Sequence, residues 1–199
     1  MIDNKNMILE LTLPPISDKE VYRYAGIRAD EGQFASLLSE CKSELVPHLK
    51  GLVVYRLVEF SADGELFDIG GIRVKSRSLA KSFIGVKKAV VFVATVGLEV
   101  DRLVHRYGRV ALAKAHMINS LGVERVEALC DEFCRYVKNE MPESLSLTKR
   151  FSAGYGDLAL DIQRDIFSLL TPDKLIGVSL NDSLIMSPTK SVSAIIGIK

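Results

Sequence analysis

The chain has 199 residues, which is long enough for one large domain or two small ones that bury about 70% of their unfolded surface. Its 26 basic and 25 acidic residues leave a formal net charge of +1, and both signs are mixed along the chain. This balance argues against a protein that binds nucleic acid or an anionic membrane through a charged surface.

Cysteine usage and the absence of long apolar segments predict a cytoplasmic protein. The three cysteines, Cys41, Cys130 and Cys134, are odd in number and lie within apolar patterns, which favours free thiols over a disulfide framework. Residues 1–6 lack the charged-then-apolar order of a signal peptide. The longest apolar stretch, 89–96, is too short to span a bilayer.

The first fifty residues predict a small cap. Residues 7–13 form a strand candidate that ends at Pro14 and Pro15, because proline cannot donate to a sheet ladder. Ser17 followed by Glu20 is a capping-box pattern that predicts a helix through Tyr24. A second helix is predicted over 32–45 from its apolar face.

Strands dominate the next section. Residues 52–60 are rich in β-branched and aromatic side chains, and 62–64 supply a hairpin turn to a strand over 66–69. A short helix is predicted over 78–83. Residues 88–95 form a nearly continuous apolar run, so both faces of the strand would be apolar, which predicts a central strand.

Helices follow, and the C-terminal part then changes character. Helices are predicted over 98–107 and 110–139, with Gly122 as a point where the second could divide. A polar connector, 142–149, leads into the C-terminal part. There we predict a loop at 150–157, a helix at 162–170, a strand at 175–180, an irregular loop at 181–190 and a terminal strand at 191–198.

Because strands and helices mix without strict alternation, the pattern predicts an α+β fold with a twisted, largely antiparallel sheet and flanking helices. We divide the chain into a cap, residues 1–50, and a core, residues 51–199. The two are expected to form one continuous domain.

The segment from Arg150 to Asp157 has the strongest potential for ligand chemistry. An arginine offers a planar fork for a carboxylate, and a loop flexed at Gly154 exposes backbone groups to a ring edge. Tyr155 adds a flat apolar face. The alternative is a surface turn whose arginine stem lies on the surface and whose tyrosine covers the core. The residues alone leave both interpretations open.

A second motif follows at a short distance, and the pair resembles a known family. The first motif is Arg-x-x-x-Gly-Tyr at 150–155, and the second is Met-x-Pro-x-x-Ser-Val-Ser at 186–193. Together they resemble the C-terminal core of the activation domain of cobalamin-dependent methionine synthase. A looser similarity extends to 94–97 and to the helix that holds Glu127.

The resemblance implies an S-adenosylmethionine-binding module. Arg150 would pair with the methionyl carboxylate, Tyr155 would line the pocket, and Glu127 would face the ligand's amine or ribose. The backbone of 150–153 would meet the adenine. The implied binding residues are Arg150, Ser152, Ala153, Gly154, Tyr155 and Glu127. Glu127 as a solvated helix-face charge stays an equal alternative, and no catalytic residue or metal ligand is implied.

The resemblance also implies partners. The family uses the methyl group of S-adenosylmethionine to remethylate cobalamin, and this chain lacks the Asp-x-His-x-x-Gly segment that binds cobalamin. The expected partner is therefore a separate corrinoid protein or a truncated methionine synthase, with a flavodoxin-like reductant as a further candidate. Such a chain is one component of a methyltransferase system and not a complete enzyme.

Departures from the family pattern support other hypotheses. Phe151 and Ala153 replace prolines that are frequent in the family loop, and the terminal strand has Ile195 and Ile196 where relatives have a tyrosine. A scaffold that kept the fold and lost the ligand is therefore the main alternative. An independent methyltransferase is disfavoured because no general base can be named.

Metal chemistry is also disfavoured by the sequence. Cys130 and Cys134 lie one helical turn apart and could share a metal, although two apolar core thiols explain them better. The histidines are scattered, and we expect His105 and His116 to be partly buried packing residues.

Overall fold

The computed structural model describes residues 5–27 and 31–199, so the prediction made for residues 1–6 lies largely outside the described residues. The strands in the described ranges are β1 (Met7–Leu11), β2 (Gly51–Asp63), β3 (Leu66–Ile69), β4 (Ile72–Lys75), β5 (Lys88–Thr95), β6 (Ser179–Leu180), β7 (Met186–Ser187) and β8 (Ser191–Ile198). The α-helices in the same ranges are α1 (Asp18–Tyr24), α2 (Glu31–Leu45), α3 (Arg77–Ser82), α4 (Glu99–Tyr107), α5 (Leu112–Asn139), α6 (Ile162–Leu170) and α7 (Pro172–Leu175). A 3₁₀ turn, Val46–His48, follows α2.

Six strands form one antiparallel sheet in the order β4-β3-β2-β5-β8, and β1 also pairs with β2. The short strands β6 and β7 form a separate antiparallel pair. Helices lie against this curled sheet, so the predicted α+β fold with a largely antiparallel sheet is confirmed.

Strand β5 lies at the centre of the sheet. It pairs along its whole length with β2 on one side and with β8 on the other. Alternate side chains enter two separate hydrophobic cores, and the two sets are Val90, Phe92 and Ala94 in the first core and Ala89, Val91 and Val93 in the second. The prediction of a central strand that is apolar on both faces is therefore confirmed.

Different helices cover the two faces of the sheet. The first core includes apolar side chains of α1, α2, α4 and α5, with Ile118, Leu121 and Phe133 of α5 fully buried. The second core is closed by α3, α6 and the end of the loop before α6, through Leu79, Ile166 and Leu158 among others. The result is a three-layer arrangement with the sheet in the middle.

The first fifty residues contribute to the first core rather than to a core of their own. Strand β1 pairs with β2 from Met7↔Tyr55 to Leu11↔Gly51, and α1 and α2 pack on α5. The N-cap half of the predicted capping box is confirmed, since the Ser17 side chain accepts a hydrogen bond from the Glu20 amide. The reciprocal half does not form, because the Ser17 amide donates to Glu124 and the Glu20 carboxylate pairs with Arg23. The division at residue 50 stays a prediction.

Helix α5 runs without a break over 28 residues, so Gly122 does not divide it. A Cβ at this position would lie 2.6 Å from Cγ1 of Val100, so glycine is present because α4 packs closely against α5 here. The helix is stabilised by its packing against the sheet and three other helices, which outweighs the low helix propensity of one glycine.

The structure differs from the predicted strands in three places. The strand predicted at 175–180 is reduced to Ser179–Leu180, because Pro172 begins a helical turn that extends to Leu175. The loop predicted at 181–190 contains β7. Strand β4 was not predicted at all, and Gly70 and Gly71, with φ of +62° and +94°, form the turn that leads into it.

No helix within residues 5–27 and 31–199 is long and apolar enough to cross a membrane.

A buried ion pair attaches the N-terminal segment to α5. Arg125 and Glu124 are 2% and 5% exposed, and their side chains form two contacts of 2.5 and 2.6 Å. Arg125 also donates to the carbonyl oxygens of Pro14 and Pro15, while Glu124 accepts from the Ser17 amide at 3.1 Å. The two charged side chains therefore form hydrogen bonds with backbone groups of the segment that leads into α1.

We predict that Arg125→Ala lowers the free energy of unfolding by about 3–5 kcal/mol, because it leaves the Glu124 carboxylate buried without its counter-charge. Urea denaturation followed by circular dichroism measures this change. Arg135→Ala is the matched control, since Arg135 is exposed and forms a surface ion pair with Glu132, and its expected loss is under about 1 kcal/mol. Equal losses for the two variants would show that the buried pair does not stabilise the fold.

Candidate ligand-binding site

The segment before the predicted ligand loop extends the edge of the sheet beside β8. Ser146 and Lys199 exchange two backbone hydrogen bonds, and the Thr148 amide donates to the carbonyl of Gly197 at 2.9 Å. Phe151 and Ile195 exchange two further bonds of 2.9 Å each. The predicted polar connector is therefore held against the sheet in its second half.

This pairing contains one extra residue, and the extra residue lies next to Arg150. The bridges Leu147↔Ile198 and Phe151↔Ile195 are separated by four residues on the connector but by three on β8. Leu147 packs against the first core, whereas Phe151 is buried in the second. Such a bulge redirects the side chains between the two bridges.

Arg150 points to α5, where it joins two carboxylates. Its Nη2 lies 3.0 Å from Oε2 of Glu127 and 2.9 Å from Oδ1 of Asp131, and its side chain is only 23% exposed. The structure therefore brings together Arg150 and Glu127, which were both predicted as binding residues. Asp131 was missed, although its position four residues after Glu127 places both carboxylates on one helix face.

The loop that follows has two tight turns. The Tyr155 amide donates to the Ser152 carbonyl at 3.1 Å, and the Gly154 amide donates to the Leu158 carbonyl at 2.9 Å. Gly154 has a φ of +81°, which an L-residue rarely adopts. Ser152 and Ala153 are partly exposed, so backbone and small side chains of this loop are accessible.

Tyr155 is the most exposed aromatic residue of the loop, at 67%. Its ring and that of the buried Phe151 are perpendicular, with centroids 5.3 Å apart. Tyr155 therefore contacts the edge of the second core while most of its side chain stays exposed. A flat, exposed ring of this kind can stack on a base or cover a ligand.

Asp157 anchors the far end of the loop to α3. Its carboxylate accepts from the Ser76 hydroxyl at 2.6 Å and from the amides of Arg77 and Ser78 at 2.8 and 3.1 Å. The Ser76 hydrogen bond, followed by the two amides, holds the pKa of Asp157 well below its usual range. Sequence reasoning did not detect this anchor, because its partners lie about eighty residues away.

A cavity of about 260 Å³ lies beside the Arg150 cluster, between residues 14–24 and α5. Its walls include Glu20, Glu124, Glu127 and Asp131, and Tyr24 supplies an aromatic side. The two partners of Arg150 thus also line the cavity. Arg135 also lines the cavity, so two guanidinium groups that suit a carboxylate lie near carboxylates that suit an ammonium or sulfonium group.

The two halves of the candidate site lie on different sides of the sheet edge. Arg150 contacts the helix that covers the first core, and Tyr155 contacts Phe151 of the second core. A ligand that touches both residues must therefore extend across the bulged segment. An elongated ligand with a zwitterionic end and a flat ring meets this requirement.

The second sequence motif shapes the strand next to the loop. Ser191 Oγ lies 2.9 Å from Thr95 Oγ1 and donates to the carbonyl of Pro188 at 2.7 Å, and the Ser187–Pro188 peptide bond is cis. Ile195 and Ile196 are fully buried in the two cores. This part of β8 presents packing residues, not an aromatic ring, near the loop.

Within residues 5–27 and 31–199, no group of three or more His, Cys, Asp or Glu side chains comes together. Cys130 is buried beside Arg150, and burial raises the pKa of its thiol to about 12, so it stays neutral at physiological pH. Burial also raises the pKa of Cys134. The expectation that His105 and His116 are partly buried was wrong, since both are exposed.

Comparisons with known proteins support the fold. No protein-family model matches this chain, and a comparison with curated proteins gives no match. Among solved structures, the chain is similar to the crystal structure of the MetH reactivation domain bound to AdoHcy, with a TM-score of 0.67 and 16% sequence identity. The similarity covers 97% of this chain and 78% of that chain. It shows that the two share a fold, as the sequence motifs predicted.

We predict that Asp157→Ala accelerates amide hydrogen exchange in the loop, above all at Gly154 and Leu158. The native carboxylate is held in its charged form by a lowered pKa. The carboxylate therefore stabilises the loop fully above the ordinary aspartate pKa of about 3.9. This stabilisation is lost as the pH falls from there towards the lowered pKa of Asp157.

Wild-type exchange protection should accordingly differ from that of the variant at pH 5 to 8 and converge with it in strong acid. Asp161→Ala is the control, because the Asp161 side chain is exposed and does not cap α6. Unchanged protection of the loop in Asp157→Ala at neutral pH would contradict the anchor.

Proposed function

We propose that this protein binds S-adenosylmethionine and presents its methyl group to cobalamin carried by a separate protein. One observation supports this most: the arginine of the Arg-x-x-x-Gly-Tyr loop lies against an acidic pair on α5, in a fold shared with a reactivation domain bound to AdoHcy. The expected setting is the cytoplasm, as cysteine usage suggests.

The charges of the site suit the amino-acid end of this ligand. Its carboxylate would replace one carboxylate partner of Arg150, and its ammonium group would take the released carboxylate of Glu127 or Asp131. The exchange keeps every charge paired in a site where Arg150 is largely buried. Glu127 then acts as a ligand-facing residue and not only as a solvated helix charge.

The loop suits the nucleoside end. Ser152, Ala153 and Gly154 present accessible backbone groups for the edge of the adenine, and the exposed side chain of Tyr155 can cover the ring. The small side chains allow close approach. The sulfonium centre would then lie between the acidic cluster and the loop, where an electronegative environment favours its charge.

In this proposal the chain contributes position and not acid–base chemistry. The partner's reduced cobalamin would supply the nucleophile that takes the methyl group from the sulfonium, which would leave S-adenosylhomocysteine. The protein would bind and orient the donor. The partner is a corrinoid protein or a truncated methionine synthase, and a flavodoxin-like protein is a candidate reductant. The exposed Tyr155 side of the loop would face that partner.

A scaffold without ligand is the second candidate. It is favoured by one observation, the replacement of the family's terminal-strand tyrosine by two isoleucines that are fully buried. A protein of this kind would keep the Arg150–Glu127 pair as a structural contact. Binding measurements separate the two candidates.

We predict that S-adenosylmethionine binds the wild-type protein with micromolar affinity, about −8 kcal/mol, and that Arg150→Ala abolishes binding. Isothermal titration calorimetry makes the measurement. Arg102→Ala is the matched control, because Arg102 is an exposed arginine that forms a surface ion pair with Glu99 on α4, and the affinity of this variant should equal that of the wild type.

Equal affinity in Arg150→Ala and the wild type would place the ligand elsewhere. Absence of binding in the wild type would favour the scaffold. If binding occurs, addition of a cobalamin-carrying domain of methionine synthase with a reductant should give methyl transfer that Arg150→Ala lacks.

A further inference from the structure

A second cavity, of about 230 Å³, opens at the C-terminal end of α5, beyond the Arg150 cluster. It is lined by residues of three strands and of the helix end: Met7, Tyr55, Leu57, Val90, Tyr136, Val137, Glu140, Met141 and Ile198. We call it the tyrosine pocket. Its volume lies below the range of about 300–1,000 Å³ that drug-sized ligands occupy, so it suits a single ring with a short substituent.

Aromatic rings form the wall of the tyrosine pocket. The Tyr55 and Tyr136 rings meet edge to face with centroids 6.4 Å apart, and both pack on the fully buried Phe133. Phe133 in turn packs on Phe92 of β5 at 4.8 Å. The wall is therefore held rigidly by the first core, while the side chains of Met7 and Met141 at the opening are flexible.

One charged group faces this wall. Burial and the neighbouring Tyr136 raise the pKa of the Tyr55 phenol, and the negative charge of the Glu140 carboxylate raises it further. Within the described ranges, Glu140 forms no hydrogen bond or ion pair through its side chain, whereas Lys138, nearby on α5, donates to backbone carbonyls instead. An unpaired carboxylate at the opening of an aromatic pocket favours a cation.

We propose that the tyrosine pocket binds a small aromatic ammonium compound, with its ring against Tyr55 and Tyr136 and its ammonium group beside Glu140. The faces of tyrosine rings attract cations, and the carboxylate supplies the counter-charge. An anion of the same shape would meet repulsion from Glu140 and gain nothing from the rings. The pocket should therefore select ligands by the sign of their charge.

This site is independent of the proposed function. Glu140, the C-cap of α5, lies about 14 Å along the helix axis from Asp131. The two cavities share no lining residue, although Arg135 of the first and Tyr136 of the second are neighbours in the chain. A failure of S-adenosylmethionine to bind at Arg150 would leave the tyrosine pocket unaffected, and the reverse also holds.

The test titrates the full chain with 2-phenylethylamine as the probe and with 3-phenylpropionate as the matched anion, followed by ¹H–¹⁵N NMR. We expect millimolar binding of the amine, with chemical-shift changes at Tyr55, Tyr136 and Met141. The anion should bind at least about tenfold more weakly. Equal affinities for the two probes, or shift changes that avoid these residues, would overturn the proposal.

Glu140→Gln tests the counter-charge with little risk to the fold, because Glu140 is exposed at the helix end. We expect it to weaken amine binding about fivefold or more and to leave binding of the anion unchanged or improved. Glu143→Gln is the control, since Glu143 is also an exposed glutamate but does not line the pocket. If Glu140→Gln and Glu143→Gln bind the amine as the wild type does, or if the wild type shows no shift changes at 10 mM amine, about the limit of weak fragment binding, the proposal is wrong.

Discussion

The burial of β5 on both faces constrains the rest of the molecule. A strand with apolar side chains in both directions needs a layer of structure above and below it, and the two cores supply these layers with different sets of helices. Strand β8 pairs with β5 along its whole length, so it is fixed equally firmly. The segment that precedes the candidate ligand loop pairs with the outer edge of β8, and the position of Arg150 therefore depends on the central strand.

Helix α5 carries the acidic residues of the candidate ligand site. The spacing of three or four residues places Glu124, Glu127 and Asp131 along one side of the helix, where they line the same cavity. Glu124 and Arg125 attach the N-terminal segment, and Glu127 and Asp131 receive Arg150. A single helix packed on the sheet thereby orients both walls of the candidate site.

The sequence predicts those elements that have a strong local pattern. The central strand, the N-cap at Ser17 and helix α6 all match, because periodicity and capping chemistry are local properties. Strand β4 was missed because it is only four residues long, although its alternation of apolar Ile72 and Val74 with charged residues is the pattern of a half-buried strand. The strand predicted near Leu175 failed because a proline started a helical turn instead.

The candidate site was predictable only in part. Its motifs indicated Arg150 and the loop, and a helix position indicated Glu127. Asp131 joins this pair through its contact with Arg150, which lies nineteen residues later in the chain. Asp157 anchors the loop through residues about eighty positions earlier in the chain. The bulge beside Arg150 likewise depends on pairing with β8, which no local pattern encodes. Long-range partners of this kind decide where a loop side chain points.

The central claim is that the bulged segment beside β8 and the facing side of α5 form one ligand site. The most direct measurement is a map of amide chemical-shift changes in ¹H–¹⁵N NMR spectra during addition of S-adenosylmethionine. The account predicts changes that begin at Arg150–Tyr155 and extend to Glu127 and Asp131, with the tyrosine pocket unaffected. Changes confined to other surfaces, with the Arg150 loop unperturbed, would contradict it.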